Sequence, residues 1–161
     1  MEIRRLSPAD AEACDAVIAS LPYHFGDEGG RAECGEAVRT QQGLVATTED
    51  GSIVGFITWK IPEGLAAEIT WLAVEQSHRR HGIGGALVDA LVAELRATTR
   101  YLVVTTLAEV SEPNPPADGY QTTRRFYRRH GFEPVWRPDG WWNDENQAEL
   151  MVRDLRRAYR G

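Results

Sequence analysis

The chain has 161 residues, 42% hydrophobic and 26% charged, an ordinary composition for a globular domain with one core. Its formal charge is −6, which argues against a generic nucleic-acid binder, because such binding rests on neutralising phosphates. Two cysteines, Cys14 and Cys34, are too few for a disulfide framework and read as reduced thiols. The opening stretch MEIRRLSPADAEA has no apolar run of the signal-peptide type. Nowhere does hydrophobicity persist for the length of a membrane span. These features lead us to expect a soluble, cytoplasmic protein that engages neither membrane nor nucleic acid.

Along the chain, Glu2 to Leu6 alternates weakly and reads as a strand. In SPADAEACDAVIASLP, Ser7 can cap a helix, Pro8 suits the first helical position and Pro22 stops the run. YHFGDEGG is a loop, and a second helix is expected over Arg31 to Gln41. GLVATTEDGSIVGFITWK reads as a hairpin, two apolar runs around Glu49-Asp50-Gly51. AAEITWLAV is a strand, apolar on both faces after Glu68, as a central strand is. Ile83, Leu87, Leu91 and Leu95 then recur at helical spacing. YLVVTTLA is a buried strand, and the proline-rich EVSEPNPPADGY continues neither strand nor helix. QTTRRFYRRHGF reads as a helix closed by Gly131. EPVW and AELMVRDL are late strands flanking RPDGWWNDENQ. Trp59, Trp71 and Trp136 are expected in the core. The order predicts one α/β (α+β) domain over residues 1–161. It holds a mixed, mostly antiparallel sheet of about seven strands, with helices on both faces.

The chemistry concentrates between the strand AAEITWLAV and the helix after it. There Arg79, Arg80 and His81 stand against Gly82, Ile83, Gly84 and Gly85. A helix start leaves N–H groups without partners and carries the positive end of the dipole. Glycines let an anion come close to that backbone. The expected ligand carries a pyrophosphate or a similar anion. A dinucleotide fingerprint would need a third glycine where Leu87 stands, and a Walker loop would need Gly-Lys-Ser/Thr; neither is present.

The pattern Arg79-x-x-Gly82-x-Gly84, set between strand and helix, resembles the acyl-CoA signature Gln/Arg-x-x-Gly-x-Gly/Ala of the GNAT N-acetyltransferase superfamily. The segment TRRFYRRHGF resembles the family's second diagnostic stretch, an aromatic-Tyr pair a few residues before Gly-Phe. The resemblance covers nearly the whole chain and is specific from about Glu68 to Phe132. It implies the GNAT fold, acetyl-CoA as donor and transfer of an acetyl group to an amine. It also implies that the 79–85 backbone holds the CoA pyrophosphate and that Leu72, Ala73 and Val74 pair with the pantetheine arm. A free N–H near Leu72 to Val74 is the implied oxyanion donor, and Tyr127 would protonate or hold the leaving thiolate.

Glu68 stands six residues before Val74, the spacing of the glutamate base in some members. A carboxylate there suits general-base work, directly or through water. The asparagine that often lies seven residues before the tyrosine is here Tyr120. Its cofactor contact is left to Thr123, Arg124 or Asn114. Arg124, Arg125, Arg128 and Arg129 share no single helical stripe and read as a solvated face with one or two cofactor contacts. For the acceptor side, Tyr23, His24, Phe25, Trp141 and Trp142 could form an aromatic wall. Asp27, Glu28 and Asp144 could attract a cationic amine. The four histidines make no familiar metal spacing with the cysteines, so no metal is expected. The acceptor expected first is the primary amine of a small molecule. The alternatives are a protein lysine or N-terminus, or a CoA-binding module without turnover. A homodimer is left open.

Overall fold

The computed structural model describes residues 1–21, 28–62, 64–108, 119–141 and 147–157. Seven strands and four α-helices follow in the expected order. They are β1 (Glu2–Arg5), α1 (Ala11–Ala19), α2 (Glu28–Thr40), β2 (Gln42–Thr47), β3 (Ile53–Lys60), β4 (Ala66–Val74), α3 (Ile83–Leu95), β5 (Tyr101–Leu107), α4 (Gly119–Arg129), β6 (Glu133–Trp136) and β7 (Ala148–Asp154). They make a mixed seven-stranded sheet in the order β1-β2-β3-β4-β5-β7-β6. Chain contacts divide the residues into two compact units. One contains Met1–Ile61 and Ile69–Leu95; the other contains Pro62–Glu68 and Arg96–Gly161.

In the first unit, β1, β2 and β3 form an antiparallel ladder, with Arg4 opposite Val45 and Val45 opposite Phe56. Residues opposite one another share a face, and alternation sends their chain neighbours to the other. Val45 and Phe56 pack with Ala11, Cys14, Val17 and Ile18 of α1 and Cys34 and Val38 of α2. The opposite face carries α3: a Cβ built on Gly55 would come within 3.4 Å of Ile83 Cγ2. The helical period read from the sequence is the buried stripe, since Ile83, Leu87, Leu91 and Leu95 are all buried. Cys14 and Cys34 are free thiols with no exposed surface. Burial pushes the Cys14 thiol up to about 12, with nearby acids adding to the effect.

Several boundaries differ from expectation, and α4, for one, starts at Gly119 within the expected loop. Pro8–Asp10 is a single 3-10 turn that leads into α1. The second helix starts at Glu28 rather than Arg31, so Gly29 and Gly30 are helical. Each glycine costs about 1 kcal/mol against alanine in a helix; burial of Cys34, Ala37 and Val38 offsets it.

In the second unit, β7 lies between β5 and β6, antiparallel to both. The carbonyl of Leu65 accepts N–H groups from Arg100 and Tyr101, at 2.9 and 3.0 Å, and ties the approach to β4 to the start of β5. Strand β6 is exposed along its whole length. This overturns the core assignment of Trp136, which is 54% exposed. Trp59 is fully buried, and Trp71 is half-buried and packs on the first unit's core.

One buried charge anchors the first strand to the entry of α1. Asp10 is 8% exposed. It accepts Nη1 and Nη2 of Arg4 at 2.8 Å each, and the N–H and hydroxyl of Ser7 at 2.8 and 2.9 Å. The Arg4 guanidinium, with Ser7, holds its carboxyl well below the usual carboxylate range. A depressed folded pKa gives stability that is present above the unfolded value of about 3.9 and lost as pH falls below it. Asp10→Asn should therefore lower stability at neutral pH by about 1–3 kcal/mol, the worth of hydrogen bonds to a charged group. The difference from wild type should shrink between about pH 4 and pH 2, as read by urea unfolding at each pH.

Candidate functional site

The turn from β4 to α3 is built by backbone shape. A 3-10 turn at Gln76–His78 is held by His78 N–H on the Glu75 carbonyl, at 2.9 Å. Extended Arg79 follows. Arg80 and Gly82 then both adopt left-handed backbone, at φ 65° and 81°. Gly82 takes that shape freely, whereas Arg80 pays about 1–2 kcal/mol for it. A Cβ built on Gly82 would meet nothing within 4 Å, so the turn opens to free space there. The Ala86 N–H bonds the Gly82 carbonyl at 2.9 Å, which closes the first turn of α3. The amides of Ile83, Gly84 and Gly85 thus fall in the first turn of the helix, where N–H groups have no intrahelical partner.

Charge surrounds this turn. Arg79 is half-buried, and its Nε donates to the Val74 carbonyl at 3.3 Å. Burial lowers its pKa, which does not threaten the charge of a guanidinium. Arg80 and His81 are exposed. His81 Nδ1 lies 3.3 Å from the His78 carbonyl. The first unit therefore gathers Leu72, Ala73, Val74 and Arg79 to Gly85 at the end of one strand and the start of one helix.

Glu68, Thr123 and Tyr127 belong to the second unit. Glu68 is half-buried near the start of β4, and Thr123 is half-buried on α4. Tyr127 is 5% exposed. Its place follows from the sequence YRRHGF. Gly131 has φ 78°; its N–H reaches the Arg128 carbonyl, at 3.1 Å, and the Phe132 N–H reaches the Tyr127 carbonyl, at 3.0 Å. These two bonds make a Schellman cap, with its usual apolar contact: the Tyr127 and Phe132 rings meet edge to face at 5.3 Å. Burial raises the phenol's pKa above its usual range, so the hydroxyl keeps its proton at neutral pH.

The expectation of a solvated arginine face fails at Arg124, which is 2% exposed. Its Nη1 donates to the carbonyls of Leu107 at 2.9 Å and Ala108 at 3.3 Å. Arg125, Arg128 and Arg129 are exposed as expected. A residue absent from the sequence reading is Glu149, 1% exposed. Its Oε1 accepts Nε of Arg137 at 2.9 Å. Alternation along AELMVRD sets Glu149 with Met151 and Arg153, opposite Ala148, Leu150 and Val152, so the sequence carries no signal of its burial. Trp141 is exposed and meets Trp136 edge to face at 5.3 Å. Tyr23, His24, Phe25, Trp142, Asp27, Asp144 and Asn114, and the Tyr120 side chain, lie outside the described residues. Among the described residues, no group of three or more His, Cys, Asp or Glu is placed to hold a metal ion. No described helix is long and apolar enough to cross a membrane.

Residues 40–134 match the model of the Acetyltransferase (GNAT) domain. The chain belongs to the GNAT family. The family is one of acetyltransferases, and acetyl-CoA is the donor its members use. Over 65 residues it is 38% identical to N-alpha-acetyltransferase 60 of Drosophila melanogaster, a match covering 40% of this chain and 23% of that protein. The fold is shared with a GNAT-family acetyltransferase from Desulfovibrio desulfuricans, at TM-score 0.81 and 21% identity, over 96% of this chain and 98% of that one. It is shared too with an aminoglycoside 6'-N-acetyltransferase complexed with coenzyme A, at TM-score 0.73 and 18% identity, over 96% and 97%.

The helix cap that carries Tyr127 yields a direct test. Gly131→Ala places a side chain at a left-handed φ and should cost about 1–2 kcal/mol. Denaturant unfolding measures this; an unchanged midpoint would mean the cap rearranges freely.

Proposed function

We propose that this GNAT enzyme acetylates the primary amine of a small molecule by direct attack on the thioester. Acetyl-CoA, when bound, supplies the activated acetyl group. The 79–85 turn suits its pyrophosphate. The turn combines two left-handed residues, open space over Gly82, first-turn amides and cationic side chains, the features of an anion cradle. Leu72, Ala73 and Val74 are proposed beside the pantetheine arm, and Thr123 as a further cofactor contact.

An amine with a pKa near that of lysine is mostly protonated at neutral pH. Glu68 is proposed to take that proton, directly or through water, before attack. Tyr127 is proposed to give its proton to the departing sulfur. One observation supports this assignment: Tyr127 is buried on a helix end fixed by its own cap and by the Phe132 ring. Burial disfavours the phenolate, so the O–H is available to hydrogen-bond the developing thiolate and to pass its proton along that bond.

For the acceptor, Tyr23, His24, Phe25, Trp141 and Trp142 are proposed as aromatic contacts, and the exposure of Trp141 supports its part in this. A second reading is acetylation of a protein N-terminus. It is favoured by the identity to N-alpha-acetyltransferase 60.

Thiol release measured across polyamines, aminoglycosides, amino acids and peptides with free N-termini separates the two readings. Turnover confined to peptides would overturn the small-molecule reading. With the best acceptor, Tyr127→Phe should lower kcat by about 100-fold, in the range of general-acid catalysis, and leave the acetyl-CoA KM nearly unchanged. Equal turnover would make the tyrosine a packing residue. Glu68→Gln should lower the rate by about 10–100-fold at pH 7 and by less above about pH 10, where the amine is already free. A pH-rate profile parallel to wild type would remove Glu68 from the base role.

A further inference from the structure

We propose that Arg124 is a positioning residue for Tyr127, locking α4 to the end of β5 so that the phenol stands at one depth and angle. The inference rests on the proton-donor reading of Tyr127.

A guanidinium is an expensive group to bury. Removing such an ion from water costs several kcal/mol even after relaxation, unless hydrogen bonds meet its donors. Yet Arg124 is 2% exposed, among the largest fully buried side chains of the protein. Its Nη1 donates to two successive main-chain oxygens, those of Leu107 and Ala108. These oxygens mark the point at which β5 stops. Leu107 is the last strand residue, in register with Ala148, and the Ala108 N–H bonds the Gln147 carbonyl at 2.8 Å. One nitrogen thus holds α4 to the end of β5, beside the start of β7.

Arg124 and Tyr127 are three apart on α4 and so share a face, about 4.5 Å apart along the axis. Both are buried, while Gln121, Thr122, Arg125, Arg128 and Arg129 are exposed. An apolar side chain at 124 would fill the space without direction. A hydrogen bond weakens steeply with misalignment, so the guanidinium resists sliding and rolling of the helix. Reaction geometry is sensitive at that scale: a displacement of about 1 Å can cost on the order of 100-fold in rate.

The test is a double-mutant cycle on Arg124→Met and Tyr127→Phe, with kcat, acetyl-CoA KM and thermal midpoint measured for each variant. Arg124→Met should lower kcat by about 10–100-fold with KM within about twofold of wild type, and Arg124→Lys should recover part of the loss. In the Tyr127→Phe background, Arg124→Met should lower the thermal midpoint again but leave kcat where Tyr127→Phe put it. If Tyr127→Phe lowers kcat but Arg124→Met subtracts the same factor in both backgrounds, or lowers only the midpoint, the positioning role is wrong. If Tyr127→Phe alone has no effect, the proton-donor reading falls and takes this inference with it. Should Arg124→Met not fold, Arg124→Lys carries the same cycle, because it keeps the charge and one donor.

Discussion

Between β4 and α3 the chain has eight residues, 75–82, in which to turn a central strand into a buried helix. It must do so without covering the helix's first amides. Left-handed backbone at Arg80 and Gly82 meets both demands, since it reverses direction tightly and leaves open space over Gly82. The strain at Arg80, about 1–3 kcal/mol, persists only if the surroundings over-determine it. They do. Ile83, Leu87, Val88, Leu91 and Leu95 are all buried, at about 1.5–3 kcal/mol each by area bookkeeping. Moving the helix start to relax Arg80 would forfeit part of that larger sum. The apolar stripe of α3 is therefore what holds an exposed, strained turn in place.

A different device holds the tyrosine. Tyr127 is the residue whose carbonyl receives the Phe132 N–H of the helix cap, so the main chain at the phenol is part of the helix stop itself. The Phe132 ring against the Tyr127 ring then limits the side chain. Four consecutive demands fall within six residues: buried aromatic, solvated arginines, left-handed glycine, returning aromatic. All are local, and so all can be read from YRRHGF alone.

That locality explains what was legible in the sequence. The α3 period, the Gly131 stop, the β2–β3 hairpin and the strand order depend on residues close in the chain, and they are found where expected. The failures involve distant partners. Gly29 and Gly30 argue locally for a loop, but the core that Cys34 and Val38 share with α1 extends the helix through them. Trp136 has the side chain of a core residue but lies on the outermost strand of the sheet, a position no local pattern encodes. Arg124 reads as a surface charge because its partners, Leu107 and Ala108, lie sixteen and seventeen residues away. Of the residues proposed for the site, the backbone of the 79–85 turn and the helix cap at Tyr127 follow from local sequence, and the bonds of Arg124 do not.

The buried charges of the second unit converge on one place. Arg124 binds the carbonyls of Leu107 and Ala108, and Glu149 is in register with Thr106, the residue just before them. Glu149 is held from outside by Arg137 through Oε1 alone, while its buried Oε2 makes no hydrogen bond. An unmet buried acceptor costs about 1–3 kcal/mol, and apolar residues of similar volume often match or exceed a buried ion pair in stability. Stability alone therefore does not account for the burial of Arg124 and Glu149 near the end of β5. The bonds of Arg124 account for its burial, because they fix where β5 ends in a way that apolar contacts, which tolerate sliding, do not. The first unit spends packing energy to hold a strained turn open. The second spends it to hold a strand end still, with the tyrosine one helical turn from the guanidinium that grips it.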